Sequence, residues 1–314
     1  MNGAHWFAIV AAIAWSAWAA QWLRLHFERR QRRATAGTGR RFVRPPGTLI
    51  AIGILVFFVT VAVAAPLVTP YRPSRQLDIV RLQNAPPSWG HPLGTDLYSR
   101  DTWSRLAYGA RVSLAVGLLA TLLAATVGAA VGAAAGYFRR WTDAVLMRVV
   151  DVGLAIPRIF ILLVAAALTA HLPLAALVLL LGLTSWFATS RLVRAEVLTL
   201  RERDFVASAR ALGGGDWRII FRHVLPNVAA PLIVSLALGI GQVMLLEAAL
   251  SFLGVGVQPP TPSWGNMIAE GRDQLATAPW TTLFPGLAIV LVVMALNTVG
   301  DTLRDALDPR AGAS

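Results

Sequence analysis

The sequence predicts an all-α polytopic membrane protein, and three observations lead to that prediction. Of its 314 residues, 56% are hydrophobic and only 14% are charged, which lies outside the usual range of soluble globular domains. Several uncharged runs are long enough to cross a bilayer as helices, which takes about 20 residues. The arginines are concentrated between these runs, where a membrane protein keeps its charge.

The apolar runs follow one another along the chain. Residues 6–23 are barely long enough to span, and they lack the leading positive charge and the Ala-x-Ala site of a signal peptide. Residues 24–46 are rich in arginine and read as a solvated linker, and residues 47–68 form a full-length second span. The remaining predicted spans cover residues 112–138, about 144–170, about 174–190, 228–251 and 281–300.

The segments between the spans differ in character. Residues 69–110 are polar and rich in proline, so we expect loops and short helices outside the membrane, and residues 252–280 read as a Pro/Gly-rich loop. Within the 112–138 span a glycine recurs every four residues, which predicts a flat face for close contact with another helix. These glycines are Gly128, Gly132 and Gly136.

Residues 191–227, called the central segment below, carry seven arginines and cannot lie in hydrocarbon. Asp204 is placed to cap a short helix over residues 205–212. The glycines Gly213 to Gly215 should end that helix, because glycine takes the left-handed conformation that a helix C-terminus commonly needs.

Asp216 is placed to cap a second short helix over residues 217–224, and Pro226 follows where that helix should stop. Each of the two helices is expected to present an apolar face with no partner inside so short a segment. The pattern therefore favours docking to another protein. The expected faces consist of Phe205, Ala209 and Leu212 on the first helix and Trp217, Ile220, Phe221 and Val224 on the second.

Charge and composition exclude several classes of function. The net charge of +12 comes from arginines between apolar runs, so membrane topology explains it better than a nucleic-acid-binding surface. Cysteine is absent, which excludes disulfides and thiolate metal sites. All 28 basic residues are arginine, and a P-loop needs a lysine, so ATP hydrolysis by that route would require a separate polypeptide. We expect no cofactor, no metal site and no catalytic residues.

The arginine distribution also predicts an orientation in the lipid bilayer. With the central segment inside the cell, 20 arginines lie on the inner side and 7 on the outer side. This arrangement satisfies the positive-inside bias and gives seven crossings with the N-terminus outside.

The pattern Ala207-Ser208-Ala209, Gly213 and Leu225-Pro226 resembles the EAA loop of ABC-importer permease subunits. In that family the loop supplies coupling helices that enter a cleft on a cytoplasmic ATPase. The resemblance implies an ATPase-coupling role for Asp204, Phe205, Ala207, Ser208, Ala209, Leu212, Gly213, Asp216, Trp217, Leu225 and Pro226. Ala207 replaces the family's usual glutamate and Ser208 its second alanine, which removes one charge contact but leaves the helix intact.

Four further stretches resemble the C-type permease of dipeptide, oligopeptide and nickel importers: PSWGHPLGTDLYSRD (87–101), ARVSL (110–114), SFLGVGVQPPTPSWG (251–265) and LRDALDPR (303–310). Ser99 departs from this pattern, which usually has glycine there. The resemblance implies a homologous second permease, two ATPase subunits and an extracytoplasmic binding protein as partners. It also implies a six-helix permease core of the type I importer fold in the cytoplasmic (inner) membrane.

The resemblance divides the chain into four parts. Residues 1–46 lie outside the usual pattern and form either an extra N-terminal transmembrane helix with its linker or the product of a start codon placed too far upstream. Residues 47–110 hold the first core span and a periplasmic segment, residues 111–310 the permease core, and residues 311–314 the tail.

Acidic residues inside the spans leave an alternative function open. Glu247 is costly in an apolar span, so we expect it either on the translocation path or in a structural pair with a helix or with the loop after Ser251. Asp151 is expected to pair with Arg148, and His171 reads as a turn residue. A self-powered transporter or membrane enzyme would have to use these acids, whereas the permease reading requires none of them.

Overall fold

The computed structural model describes residues 10–15, 18, 21–22, 46–168 and 172–307, and those ranges contain helices and no strand. Residues 10–15 are helical, and much of the predicted 6–23 span, the 24–45 linker, His171 and the tail lie outside the described residues. The elements are α1 (Pro46–Val68), α2 (Ile79–Leu82), α3 (Thr102–Phe138), α4 (Arg140–Ala155), α5 (Arg158–Ala167), α6 (Leu174–Leu183), α7 (Trp186–Arg201), α8 (Asp204–Ala211), α9 (Asp216–Ile219), a π turn (Ile220–Val224), α10 (Leu225–Phe252), α11 (Trp264–Gly271), a 3-10 turn (Arg272–Gln274) and α12 (Trp280–Leu307).

Within the described residues, five helices are long and apolar enough to cross a membrane, and the pair α4–α5 supplies a sixth if it counts as one span. The five confirm five of the seven predicted spans: Gly47–Val68 has the predicted bounds, and the other four helices are longer than expected. Helix α3 begins at Thr102, so residues 102–110 are not a loop, because Asp101 caps the helix by accepting a hydrogen bond from the Ser104 backbone N–H at 2.8 Å. The spans α6–α7 and α9–α10 likewise run into the central segment.

The span predicted over about residues 144–170 is not one continuous helix but a broken pair. Helices α4 and α5 meet at a break and are bent by 79°. The sequence Ile156-Pro157 explains the break: proline disfavours the α conformation in the residue before it, and Ile156 is extended at φ −92° and ψ 123°.

The glycine face of α3 confirms the predicted close contact, and its partner is α7. A Cβ added at Gly128 would lie 2.7 Å from Cβ of Thr189, and one at Gly132 would lie 2.4 Å from the Ser190 carbonyl oxygen. Since real Cβ atoms do not approach so closely, only glycine permits this packing.

At the end of the bundle away from the central segment, a hydrophobic core forms around Trp264 of α11. The Trp264 side chain is fully buried against α1 and α3. Its indole N–H donates to the Leu106 carbonyl oxygen at 3.0 Å, and its backbone N–H donates to Oγ of Ser113 at 3.1 Å. The predicted 252–280 loop therefore contains a helix that packs into the bundle.

Candidate functional site

The central segment contains three helical pieces. Helix α7 continues to Arg201, so the first third of the segment extends a membrane span and is not a separate excursion. Helix α8 then ends as predicted at Gly213, whose φ is +80°. The N–H groups of Gly213 and Gly214 donate to the carbonyl oxygens of Arg210 and Ala209, both at 3.0 Å, which is the Schellman arrangement.

The predicted caps at Asp204 and Asp216 are wrong. Each aspartate is the first residue of its helix, the cap positions belong to Arg203 and Gly215, and neither cap makes a side-chain hydrogen bond. Both carboxylates still lie in a first turn, where the helix dipole favours negative charge. Asp216 is held by another partner: its Oδ1 accepts a hydrogen bond from the Tyr137 hydroxyl at 2.8 Å.

The prediction that Pro226 stops the second helix is also wrong. Residues 220–224 form a π turn in which the Leu225 N–H donates to the Ile220 carbonyl oxygen, five residues back. Helix α10 follows directly, so residues 216–252 form one continuous helix. Pro226 is the second residue of α10, directly after the π turn.

Part of the predicted apolar face lies in the interior. Ile220 and Val224 are buried together with Val206 and Ile219, against α3 and α7, which corrects the expectation that Ile220 faces a partner. Ala209 is half-buried against the same cluster. The large apolar side chains left exposed, called the apolar patch below, are Phe205, Leu212, Trp217 and Phe221.

Contacts between aromatic rings hold Trp217 and Phe221 of the apolar patch in place. Trp217 stacks on Phe221 with ring centroids 6.0 Å apart, and Phe138 at the end of α3 meets Trp217 edge-on at 6.1 Å. Trp217 is 65% exposed and Leu212 is 89% exposed. The remaining predicted site residues lie around the patch: Ala207, Ser208 and Pro226 are exposed and Leu225 is half-buried.

Tyr137 joins α3 to the central segment, a role that sequence reasoning missed. Besides the hydrogen bond to Asp216, its carbonyl oxygen accepts from Arg201 at 2.5 Å, and the guanidinium groups of Arg201 and Arg210 each lie 5.8 Å from its ring centroid. An aromatic residue at the end of an apolar span is a common interfacial feature, so no local signal pointed to this contact.

Two ion pairs connect α4 to α7 near the central segment. Arg194 binds both carboxylate oxygens of Asp143, at 2.5 and 2.6 Å. Asp151 accepts from Arg191 at 2.5 Å, so its partner is not Arg148 as predicted. The packing of α4 against α7 brings Arg191 close, which sequence spacing along one helix cannot reveal.

Glu247 of α10 is 1% exposed. Its Oε1 accepts hydrogen bonds from the hydroxyls of Ser251 at 2.7 Å and Ser263 at 2.9 Å. Ser263 also caps α11 in a reciprocal capping box with Asn266. The geometry matches the expected contact with the loop after Ser251, and a role of Glu247 on the translocation path stays a prediction.

At the end of the bundle away from the central segment lies a buried network of charged side chains that the sequence did not predict. Asp96 accepts from Arg100 at 2.7 Å and from Arg105 at 2.6 Å, and Glu270 of α11 accepts from the same two arginines at 2.5 and 2.7 Å. The network joins residues 96–105 to α11. Ser99, next to Arg100, has φ +57°, which explains why glycine suits this position.

In the described part of the chain, no three His, Asp or Glu side chains are grouped to hold a metal ion.

Comparison with known proteins gives consistent likenesses. Residues 126–312 match the family described as binding-protein-dependent transport system inner membrane component. Residues 35–87 match the N-terminal transmembrane domain of oligopeptide transport permease C.

Individual relatives match over most of the chain. A putative peptide transport system permease protein of Brucella suis is 45% identical over 276 residues, 87% of this chain and 91% of the relative. A dipeptide transport system permease protein of Alkalihalophilus pseudofirmus is 42% identical, covering 83% of this chain and 85% of its own length. A glutathione transport system permease protein of Pectobacterium atrosepticum is 39% identical, covering 86% and 89%.

Proposed function

The chain belongs to the family of binding-protein-dependent transport system inner membrane components, and we propose that the solute it carries is a short peptide. It is a multi-pass permease subunit of an ABC importer. The relatives named above for peptides, dipeptides and glutathione support a peptidic substrate. On this proposal the chain forms half of the translocation path beside a homologous second permease, and an extracytoplasmic binding protein delivers the peptide.

The apolar patch is the observation that carries the proposed coupling to ATP hydrolysis. Four large apolar side chains are exposed within an arginine-rich segment, and such a patch marks a protein contact more often than a free surface. Their helices rest on a buried base of Val206, Ile219 and Ile220, so the patch is held in place before a partner binds. We propose that the patch enters a cleft on one of the separate ATPase subunits that this lysine-free chain requires.

The orientation follows from the same proposal. The arginine bias supports the central segment and the C-terminus inside the cell and the N-terminus outside. In intact cells, a tag at residue 1 of the protein is then accessible from the periplasmic face. Protection of that tag, with the 24–46 linker accessible instead, would reverse the assignment.

The coupling proposal is tested by Trp217→Ala, with Trp141→Ala on α4 as a matched control, because Trp141 is also exposed, at 80%, but lies outside the patch. Truncating an aromatic anchor at an interface often costs about 2 kcal/mol or more, so Trp217→Ala should weaken ATPase association about 30-fold or more. The measurement is copurification of the ATPase subunits with the tagged permease pair. Equal ATPase retention in both variants would contradict the proposal.

A further inference from the structure

A cavity of about 820 Å³ opens between the helices of the bundle. Its walls come from the middle of α3, the break between α4 and α5, α7, the first two thirds of α10 and the end of α12. A cavity of this size accommodates a small organic solute. Glu247 lies beyond the cavity along α10, where the lining residues end at Val243.

Arg158 lines this cavity at the break between α4 and α5. Its Nε donates to Oγ1 of Thr184 at 3.0 Å, and its Nη2 donates to the Leu181 carbonyl oxygen at 2.8 Å and to the Ser185 hydroxyl. All three acceptors are neutral oxygens, one in the last turn of α6 and two on its connection to α7. Within the described residues, Nη1 donates to no group, and no carboxylate lies within 4 Å of the guanidinium.

Neighbouring arginines of the bundle are neutralised. Arg194 and Arg191 each pair with an aspartate of α4. The acidic side chain among the cavity-lining residues is Glu196, which lies 11 residues beyond Ser185 and therefore roughly 16 Å along α7. An arginine inside a membrane protein is expensive unless it meets water or an anion, and Arg158 lines a cavity in which an anion could lie.

We propose that Arg158 binds the terminal carboxylate of a peptide while the peptide occupies the cavity. The proposal rests on the proposed function and specifies how the solute is held. Nη1, which donates to no group among the described residues, can give its N–H groups to a carboxylate in charge-assisted hydrogen bonds, roughly twice as strong as bonds between neutral partners. The terminal carboxylate is shared by peptides of any sequence, whereas their variable side chains face a wall rich in apolar residues, among them Ile156, Phe187, Leu192 and Val234.

The test uses the complete importer in proteoliposomes, with its binding protein saturated by one of two probes. The probes are a dipeptide or tripeptide with a free C-terminal carboxylate and the same peptide with a C-terminal amide. Wild-type protein should take up the acid faster than the amide. Arg158→Gln should lower uptake of the acid about tenfold or more, the effect of losing a charge-assisted hydrogen bond, and leave uptake of the amide nearly unchanged.

Arg304→Gln is the matched control, since Arg304 also lines the cavity but at the end of α12, and it should keep the wild-type preference for the acid. If Arg158→Gln does not assemble, Arg158→Met decides, because it also removes the charge and is inexpensive among apolar neighbours, and its acid-to-amide uptake ratio should fall towards one. A variant ratio equal to that of wild type would overturn the proposal and leave Arg158 as a structural clamp. Absence of ATP-dependent uptake of either probe by wild type would instead contradict the proposed function.

Discussion

The Tyr137 hydroxyl, at the end of α3, donates a 2.8 Å hydrogen bond to Asp216, the first residue of α9. The two residues are 79 positions apart in the chain. Tyr137 belongs to a membrane span of 37 residues, and Asp216 begins the helix that carries Trp217 of the apolar patch. The bond thus connects a transmembrane helix directly to the segment proposed to contact the ATPase.

We predict that Tyr137→Phe weakens coupling without removing the ATPase contact. Loss of one hydrogen bond to a partly solvated carboxylate costs about 1 kcal/mol, enough to change the population of the correctly held segment about fivefold. The measurement is substrate-stimulated ATP hydrolysis in reconstituted complexes. Tyr108→Phe, on the same helix, is the control. The double variant with Asp216→Ala, which removes the acceptor, should lose less than the sum of the two single losses, since both single changes remove the same bond, and additive losses would contradict a direct link.

Gly213→Val should abolish coupled transport, whereas Gly215→Val should preserve it. Neither glycine has a neighbouring atom within 4 Å of an added Cβ, so space does not distinguish them. Gly213 has φ +80°, which a branched residue resists, whereas Gly215 has φ −67° and ψ 151°, which valine adopts readily. Peptide uptake by the two variants, at equal membrane yield, decides the matter. An equal loss of peptide uptake in both variants would contradict this prediction. It would show that the loop tolerates no side chain at either glycine, whatever the backbone conformation.

Glu247→Gln should preserve transport and lower the thermal stability only slightly, because the amide oxygen can accept the hydrogen bonds that Ser251 and Ser263 donate. Glu247→Ala should destabilise the protein by about 3 kcal/mol, because it leaves a cavity and two buried hydroxyls without an acceptor. Thermal unfolding of the purified complex compares the two variants. A selective loss of uptake of cationic peptides in a stable Glu247→Gln protein would favour the translocation path instead.

Ser99→Gly should raise stability by about 1 kcal/mol. The change relieves a left-handed backbone at φ +57° and removes a buried Oγ that has no hydrogen-bond partner in the described structure. Ser99→Ala separates the two effects, because it removes the hydroxyl but keeps the Cβ. We expect glycine to stabilise more than alanine in thermal unfolding, and the reverse order would mean that the backbone at this position is not strained.

The sequence by itself determined the features that depend on a few neighbouring residues. The membrane spans were predictable because their hydrophobic length is a local property. The left-handed Gly213 and the glycine face of α3 were predictable for the same reason, since conformational freedom and the absence of a side chain belong to the residue itself. The family motifs added the permease function.

Only the tertiary structure decided which partner each polar group takes. Asp216 meets Tyr137, Asp151 meets Arg191 and Glu247 meets Ser263, each from a different element. Sequence spacing predicted a helix cap for Asp216 and an i, i+3 pair with Arg148 for Asp151. Each aspartate instead pairs with the residue that folding brings nearest to it. The burial of Ile220 and the cavity at Arg158 also arise from the packing of several helices, so no stretch of sequence contains them.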